Sequence, residues 1–168
     1  IDERKKANIS KEQLINQAFD LHSKGNILEA AKYYLNFINQ GYRDQRVYSN
    51  YSAILIDLGK FKEAEVSTRK AIELNPNFAA AYVNLGIILH NIGKSEEAEI
   101  AQQKAIKIEP NCASAYSNLG IIFNELGKST QAFNSFLKAI EVNKKETKNY
   151  ALITEFLRDS NPSKLNKK

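Results

Sequence analysis

Apolar residues recur along this chain three and four positions apart, in short stripes separated by a glycine. Tyr82, Leu85 and Leu89 form one such stripe; Gly93 follows it, then the small apolar positions Ala98 and Ala105, then Pro110. The same order returns as Tyr116, Leu119, Phe123, Gly127, Ala132 and Ala139, each thirty-four positions further on. Stripes at this spacing predict helices with one apolar face, and the intervening glycines predict that the helices come in pairs. Asn-Leu-Gly stands at 84–86 and again at 118–120, and Lys-Ala-Ile at 70–72, 104–106 and 138–140. Stepping back reaches Gly59 and Ala64, then Gly25 and Ala30. Four units of one length therefore occupy 11–44, 45–78, 79–112 and 113–146, without insertion or deletion. A period of this size predicts a solenoid, in which each unit buries its apolar face on its neighbours.

The columns Tyr48-x-x-Tyr51-Ser52, Tyr82-x-x-Leu85-Gly86 and Tyr116-x-x-Leu119-Gly120, with the Gly, Ala, Ala and Pro that follow, resemble the tetratricopeptide repeat. The resemblance implies an all-α fold, a right-handed superhelical solenoid of antiparallel helix pairs. The first unit departs from the pattern at Gln17, Phe37 and Tyr42, and the fourth carries Lys144 in place of proline. Terminal repeats of a solenoid are expected to be atypical.

Ala18, Ser52, Gly86 and Gly120 make a column that is small in every unit, as do Ala30, Ala64, Ala98 and Ala132. Helix axes that approach within about 8–10 Å need small side chains where they cross. Gly25, Gly59, Gly93 and Gly127 are placed to end a first helix in a left-handed conformation, and Pro76 and Pro110 follow second helices. Ser10 and Gln13 have capping-box spacing. After the fourth unit, residues 147–158 predict one further amphipathic helix, a cap over the end of the solenoid. A polar segment, 1–10, and a basic tail, 159–168, flank these elements.

The net charge of +5 first suggests an anionic partner. Its location argues otherwise, because the four units sum to 0, +1, −1 and +1 while residues 147–168 carry +3. A nucleic-acid surface needs Lys and Arg aligned along one face, and no such stripe runs through the units. No apolar run approaches the roughly twenty residues of a membrane-spanning helix. The single Cys112 cannot form an internal disulfide. A chain that begins with Ile and has no Met is expected to be processed or cut from a longer protein. Its Asn, Ile and Lys content fits an AT-rich bacterial genome, and the expected location is the cytoplasm.

In each unit the first helix has a face left over after packing. It carries Glu12, Ile15, Asn16, Phe19, His22 and Ser23 in the first unit. Arg46, Ser49, Asn50, Ala53, Ile56 and Asp57 follow in the second, and Ala80, Val83, Asn84, Ile87, His90 and Asn91 in the third. The fourth has Ser114, Ser117, Asn118, Ile121, Asn124 and Glu125. These positions share one side of a helix. Asn16, Asn50, Asn84 and Asn118 thus form a ladder of amides, each with two donors and an acceptor, suited to the backbone of an extended peptide. The ladder resembles that of the O-linked N-acetylglucosamine transferase repeat domain; the alternative is that the amides support the local backbone. Ile15, Phe19, Ala53, Ile56, Val83, Ile87 and Ile121 run beside it as an apolar strip, with His90 and Asn91 at its edge. Exposed apolar strips mark interaction surfaces. Arg46 is the only cation on this face, too few for a clamp on a terminal carboxylate.

No phosphate loop, Cys/His cluster or paired nucleophile and base is present, so no cofactor, metal or catalytic residue is expected. The predicted function is a protein-interaction scaffold holding a peptide or partner helix. Its rivals are a substrate-recruiting module of a larger bacterial transferase and self-assembly through the groove or the solenoid ends, which leaves the oligomeric state open.

Overall fold

A computed structural model describes residues 10–159. The polar segment 1–9 and the basic tail 160–168 lie outside the described residues. Nine helices and no strands are found among those described: α1 (Lys11–Ser23), α2 (Ile27–Asn39), α3 (Gln45–Asp57), α4 (Phe61–Leu74), α5 (Ala79–Asn91), α6 (Ser95–Ile108), α7 (Ala113–Glu125), α8 (Ser129–Val142) and α9 (Thr147–Asp159). The chain divides into two compact units, Ile1–Pro76 and Asn77–Lys168.

Local chemistry explains the helix ends. Ser10 N–H donates to Gln13 Oε1 at 2.9 Å and Gln13 N–H to Ser10 Oγ at 3.2 Å, the reciprocal capping box that the sequence predicted. Each first helix of a repeat then stops at a glycine with positive φ, for example +79° at Gly93. There Lys94 N–H reaches back to Leu89 O at 2.8 Å and Gly93 N–H to His90 O at 3.0 Å. That pair of bonds satisfies carbonyls which the helix leaves open. The same glycine stop closes α2 at Gly41 (φ +78°), where the first repeat lacks proline.

In the first compact unit α1 pairs with α2 and α3 with α4, and α3 also packs on α2. Their core is built from Leu14, Ala18, Ala30, Tyr34, Phe37, Val47 and Ile54, all buried. In the second compact unit α5 pairs with α6 and α7 with α8, while α7 also packs on α6 and α9 on α8. Ala98, Ala105, Ala132 and Ala139 are fully buried, as crossing points between helices require.

Opposite the small column lies a second one, thirty-four positions apart, that the sequence pattern did not isolate: Tyr34, Thr68, Gln102 and Phe136. All four are buried. Ser52 Oγ bonds to Thr68 Oγ1. A Cβ built on Gly86 would sit 2.7 Å from Gln102 Cδ, and one on Gly120 would sit 2.6 Å from Phe136 Cδ1. Glycine is found opposite Gln102 and Phe136, serine opposite Thr68, and alanine (Ala18) in the unit that carries Tyr34.

The ninth helix holds to α8 and α7 through Asn149 and Phe156. Asn149, fully buried, accepts from Ser117 Oγ at 2.6 Å and donates to Ala139 O at 3.3 Å. Phe156 packs its ring 5.9 Å from Phe136 and 6.2 Å from Phe133.

Candidate functional site

In the second compact unit, α5 and α7 enclose a cleft of about 170 Å³. Ile87, His90 and Asn91 enter from α5, Asn118 and Ile121 from α7, and Gly86 and Ile122 complete the lining. Positions 87, 90 and 91 are three and four apart, so one helix face presents them together. At about 30 Å³ per water, the cleft has room for one aliphatic side chain or a few waters. Three isoleucines supply an apolar wall and Asn118 supplies an amide.

The neighbouring polar groups are partly committed. Asn91 Nδ2 donates to Ile87 O at 2.8 Å, which ties its amide to its own helix. Asn84 is half-buried and is not a free amide. His90 Nδ1 lies 3.4 Å from Glu125 Oε2, yet that buried nitrogen has no hydrogen-bond partner. Proximity without alignment contributes little.

The corresponding face of the first compact unit is organised around Tyr34, a residue the sequence pattern did not single out. Its hydroxyl lies 2.9 Å from His22 Nδ1 and accepts from Asn50 Nδ2 at 3.3 Å. Its ring contacts Phe19 at 6.0 Å and His22 at 5.8 Å between centroids. Burial raises the Tyr34 pKa, and the Asn50 hydrogen bond offsets part of that rise. This bond ties one donor of the Asn50 amide to α2. Asn16 is exposed, while Phe19 and Ile56 are half-buried.

Arg46 stacks 5.3 Å above the Phe19 ring, a cation–π contact. It also forks onto Asp44, with Nη2 at 2.7 Å from Oδ2 and Nε at 3.1 Å from Oδ1. Asp44 caps α3 as well, accepting from Arg46 N–H at 2.9 Å. Burial opposes ionisation of Asp44, but the hydrogen bonds from the Arg46 side chain and the backbone, with the guanidinium charge, hold its pKa below the ordinary value.

Two positions of the expected strip belong to the core. Val83 is 8% exposed and packs with Ala105 and Ala115; Ile15 is likewise 8% exposed, in the core of the first compact unit. Their column also contains Ser49 and Ser117, both buried. It sits one residue before the asparagines, a turn of about 100° that carries it off the open face.

A larger cleft, about 570 Å³, lies in the first compact unit between α2, α3 and α4. Ile38, Tyr48, Tyr51, Leu55 and Val66 line it, with Glu63, Arg69, Lys70 and Glu73 beside them. All four charges are paired, Lys70 with Glu73 and Arg69 with Glu65 at 2.7 Å each, and Glu63 with Lys60 at 3.9 Å. Burial, and then the Glu63 charge, raise the pKa of Tyr51. None of the expected site residues faces this cleft. We place the candidate site at α5–α7, where Ile87, His90, Asn91, Asn118 and Ile121 meet around one cavity.

Among the described residues no group of three or more His, Cys, Asp or Glu side chains could hold a metal ion. No helix among them is long and apolar enough to cross a membrane.

Residues 14–143 match the family model described as the middle TPR-like domain of cilia and flagella-associated protein 70. No curated protein sequence matches the chain. Among solved structures, TTC0263, a thermophilic TPR protein of Thermus thermophilus, superposes with a TM-score of 0.79 at 14% identity, covering 89% of this chain and 82% of its own. YrrB, described as a TPR protein with an unusual peptide-binding site, gives 0.70 at 20% identity over 86% and 75%. The first TPR of Spaghetti (RPAP3), bound to the HSP90 peptide SRMEEVD, gives 0.63 at 17% identity over 68% and 91%.

Proposed function

The chain belongs to the TPR-like family of the middle domain of cilia and flagella-associated protein 70, and on that premise we propose that it is a protein-interaction scaffold whose α5–α7 cleft holds an extended peptide. One observation carries this reading: Ile87, His90, Asn91, Asn118 and Ile121 line a single cavity. An aliphatic side chain of the peptide enters between Ile87 and Ile121, and Asn118 bonds the peptide backbone. Two similar folds support a peptide ligand, since YrrB is described by its peptide-binding site and the RPAP3 repeat holds an HSP90 peptide.

The preferred peptide is not acidic. SRMEEVD carries three acidic side chains, whereas the α5–α7 cleft is lined by no Lys or Arg and has Glu125 beside His90. Arg46, the cation expected on this face of the first compact unit, is already paired with Asp44.

Peptides selected from a random phage library on the immobilised chain test the proposal. The expected winners carry an aliphatic residue and no excess of acids. Asn118→Ala should weaken them roughly fivefold, the worth of one hydrogen bond of about 1 kcal/mol, and Ile87→Asp or Ile121→Asp more. Affinity that ignores all three substitutions overturns the assignment.

A further inference from the structure

One carboxylate stands at the end of the α5–α7 cleft. Glu125 follows Asn118 and Ile121 at helical spacing, so it continues by one turn the α7 face that lines the cavity. From α5, His90 stands one turn beyond Ile87 and brings its Nδ1 to 3.4 Å from Glu125 Oε2. That nitrogen makes no hydrogen bond, and the Glu125 side chain remains 53% exposed. Stability does not explain an acid at this position. Glu125 is the last residue of α7, whose final turn holds no basic residue, and the open carbonyls of a helix end repel a carboxylate. Lys128, the nearest lysine in sequence, is paired with Glu99 of α6 at 2.7 Å. Glu97 and Glu141 each have a lysine of their own, at 3.1 and 2.9 Å. Among the described residues Glu125 makes no ion pair with a lysine or arginine.

We propose that Glu125 makes the cleft selective for a peptide with a basic residue, arginine before lysine, two positions from its aliphatic residue. This rests on the α5–α7 cleft being the peptide site. Ile121 and Glu125 are four residues apart, about 6 Å along the helix axis. Alternate side chains of an extended chain share one side and stand about 6–7 Å apart. In a peptide running along the cleft, an aliphatic side chain seated between Ile87 and Ile121 therefore sets the next side chain of that face over Glu125. The charge there is complementary, because the cavity lining contains no Lys or Arg to repel a cation. A guanidinium forks onto a carboxylate and lies flat on an aromatic ring. Glu125 offers the first contact and the His90 ring beside it the second. An acid that the helix end disfavours is thus kept where a ligand cation can use it.

Parallel selections from a random phage library on the unaltered chain and on Glu125→Lys test this. Winners on the unaltered chain are expected to carry arginine two residues from an aliphatic one. Winners on Glu125→Lys are expected to lose it, with an acid in its place. For the leading peptide, Glu125→Gln should weaken binding on the order of tenfold, the worth of a hydrogen bond to a charged group. The melting temperature should hold or rise, since the helix end is relieved of a like charge. Glutamine in place of the peptide arginine should weaken binding equally, and the two changes together should add little. Peptides that depend on Asn118 and Ile121 but show no basic preference at that spacing, or ignore Glu125→Gln, would overturn this inference and leave the cleft standing. Peptides indifferent to Asn118→Ala and Ile121→Asp would overturn the cleft itself. A Glu125→Gln chain that melts lower would assign the carboxylate to the fold and contradict the proposal.

Discussion

Gly86 lies so close to Gln102 that a Cβ on the glycine would overlap the glutamine amide. Gln102 is fully buried and donates Nε2–H to Val83 O at 3.1 Å, so moving its side chain aside would break that bond. Gly86→Ala gains up to about 1 kcal/mol of intrinsic helix preference and loses roughly 1–3 kcal/mol to overpacking. Net destabilisation is expected in thermal melts. The double variant Gly86→Ser with Gln102→Thr recreates the Ser52–Thr68 pair and should recover most of the loss. A cycle of these variants that shows simple additivity would mean the two columns are not coupled.

Ala98 and Glu97 are adjacent in sequence and opposite in environment. Ala98 is fully buried, while Glu97 is exposed in a surface pair with Lys94 at 3.1 Å. Ala98→Leu should cost roughly 1–3 kcal/mol. Glu97→Leu should cost little, because exposed ion pairs contribute at most about 1 kcal/mol. Equal tolerance in denaturant titrations would contradict the helix interface described here.

Asp44 makes stability depend on pH. Its folded pKa is below the ordinary 3.8, so the stability it contributes is fully present above pH 3.8 and is lost as pH falls through the lower folded value. Asp44→Ala removes both the α3 cap and the Arg46 partner and should cost about 1 kcal/mol at neutral pH. The difference from the unaltered chain should shrink as pH falls below 3.8. A constant difference down to acid pH would show that the carboxylate charge contributes nothing.

Two asparagines of the ladder are expected to respond differently to truncation. Asn50→Ala strips a bond from buried Tyr34 and should lower stability by about 1 kcal/mol. Asn118→Ala, in the lining of an open cleft, should barely move the melting temperature. Tyr34→Phe should reproduce the Asn50 effect and leave peptide binding by the second compact unit intact.

Much of this architecture is written in the repeat. The period, the glycine stops and the Ser10–Gln13 capping box can be read directly, because each uses residue types that few other positions need. The Tyr34, Thr68, Gln102 and Phe136 column escapes such reading, since four different chemistries share one buried place. Val83 and Ile15 were expected on the open face because one residue of helix phase separates groove from core. Asn50 looks like Asn118 in sequence, and only the position of the Tyr34 hydroxyl distinguishes them. The ninth helix was legible as amphipathic, but its match to α7 emerges from the shared burial of Asn149 and Phe156 with Ala115 and Ile122.

The most direct test of the α5–α7 cleft is amide chemical-shift mapping of the chain titrated with a library-selected peptide. The account predicts the largest changes at Ile87, His90, Asn91, Asn118 and Ile121. Changes centred instead on Tyr48, Tyr51 and Val66, around the larger cleft of the first compact unit, would contradict it.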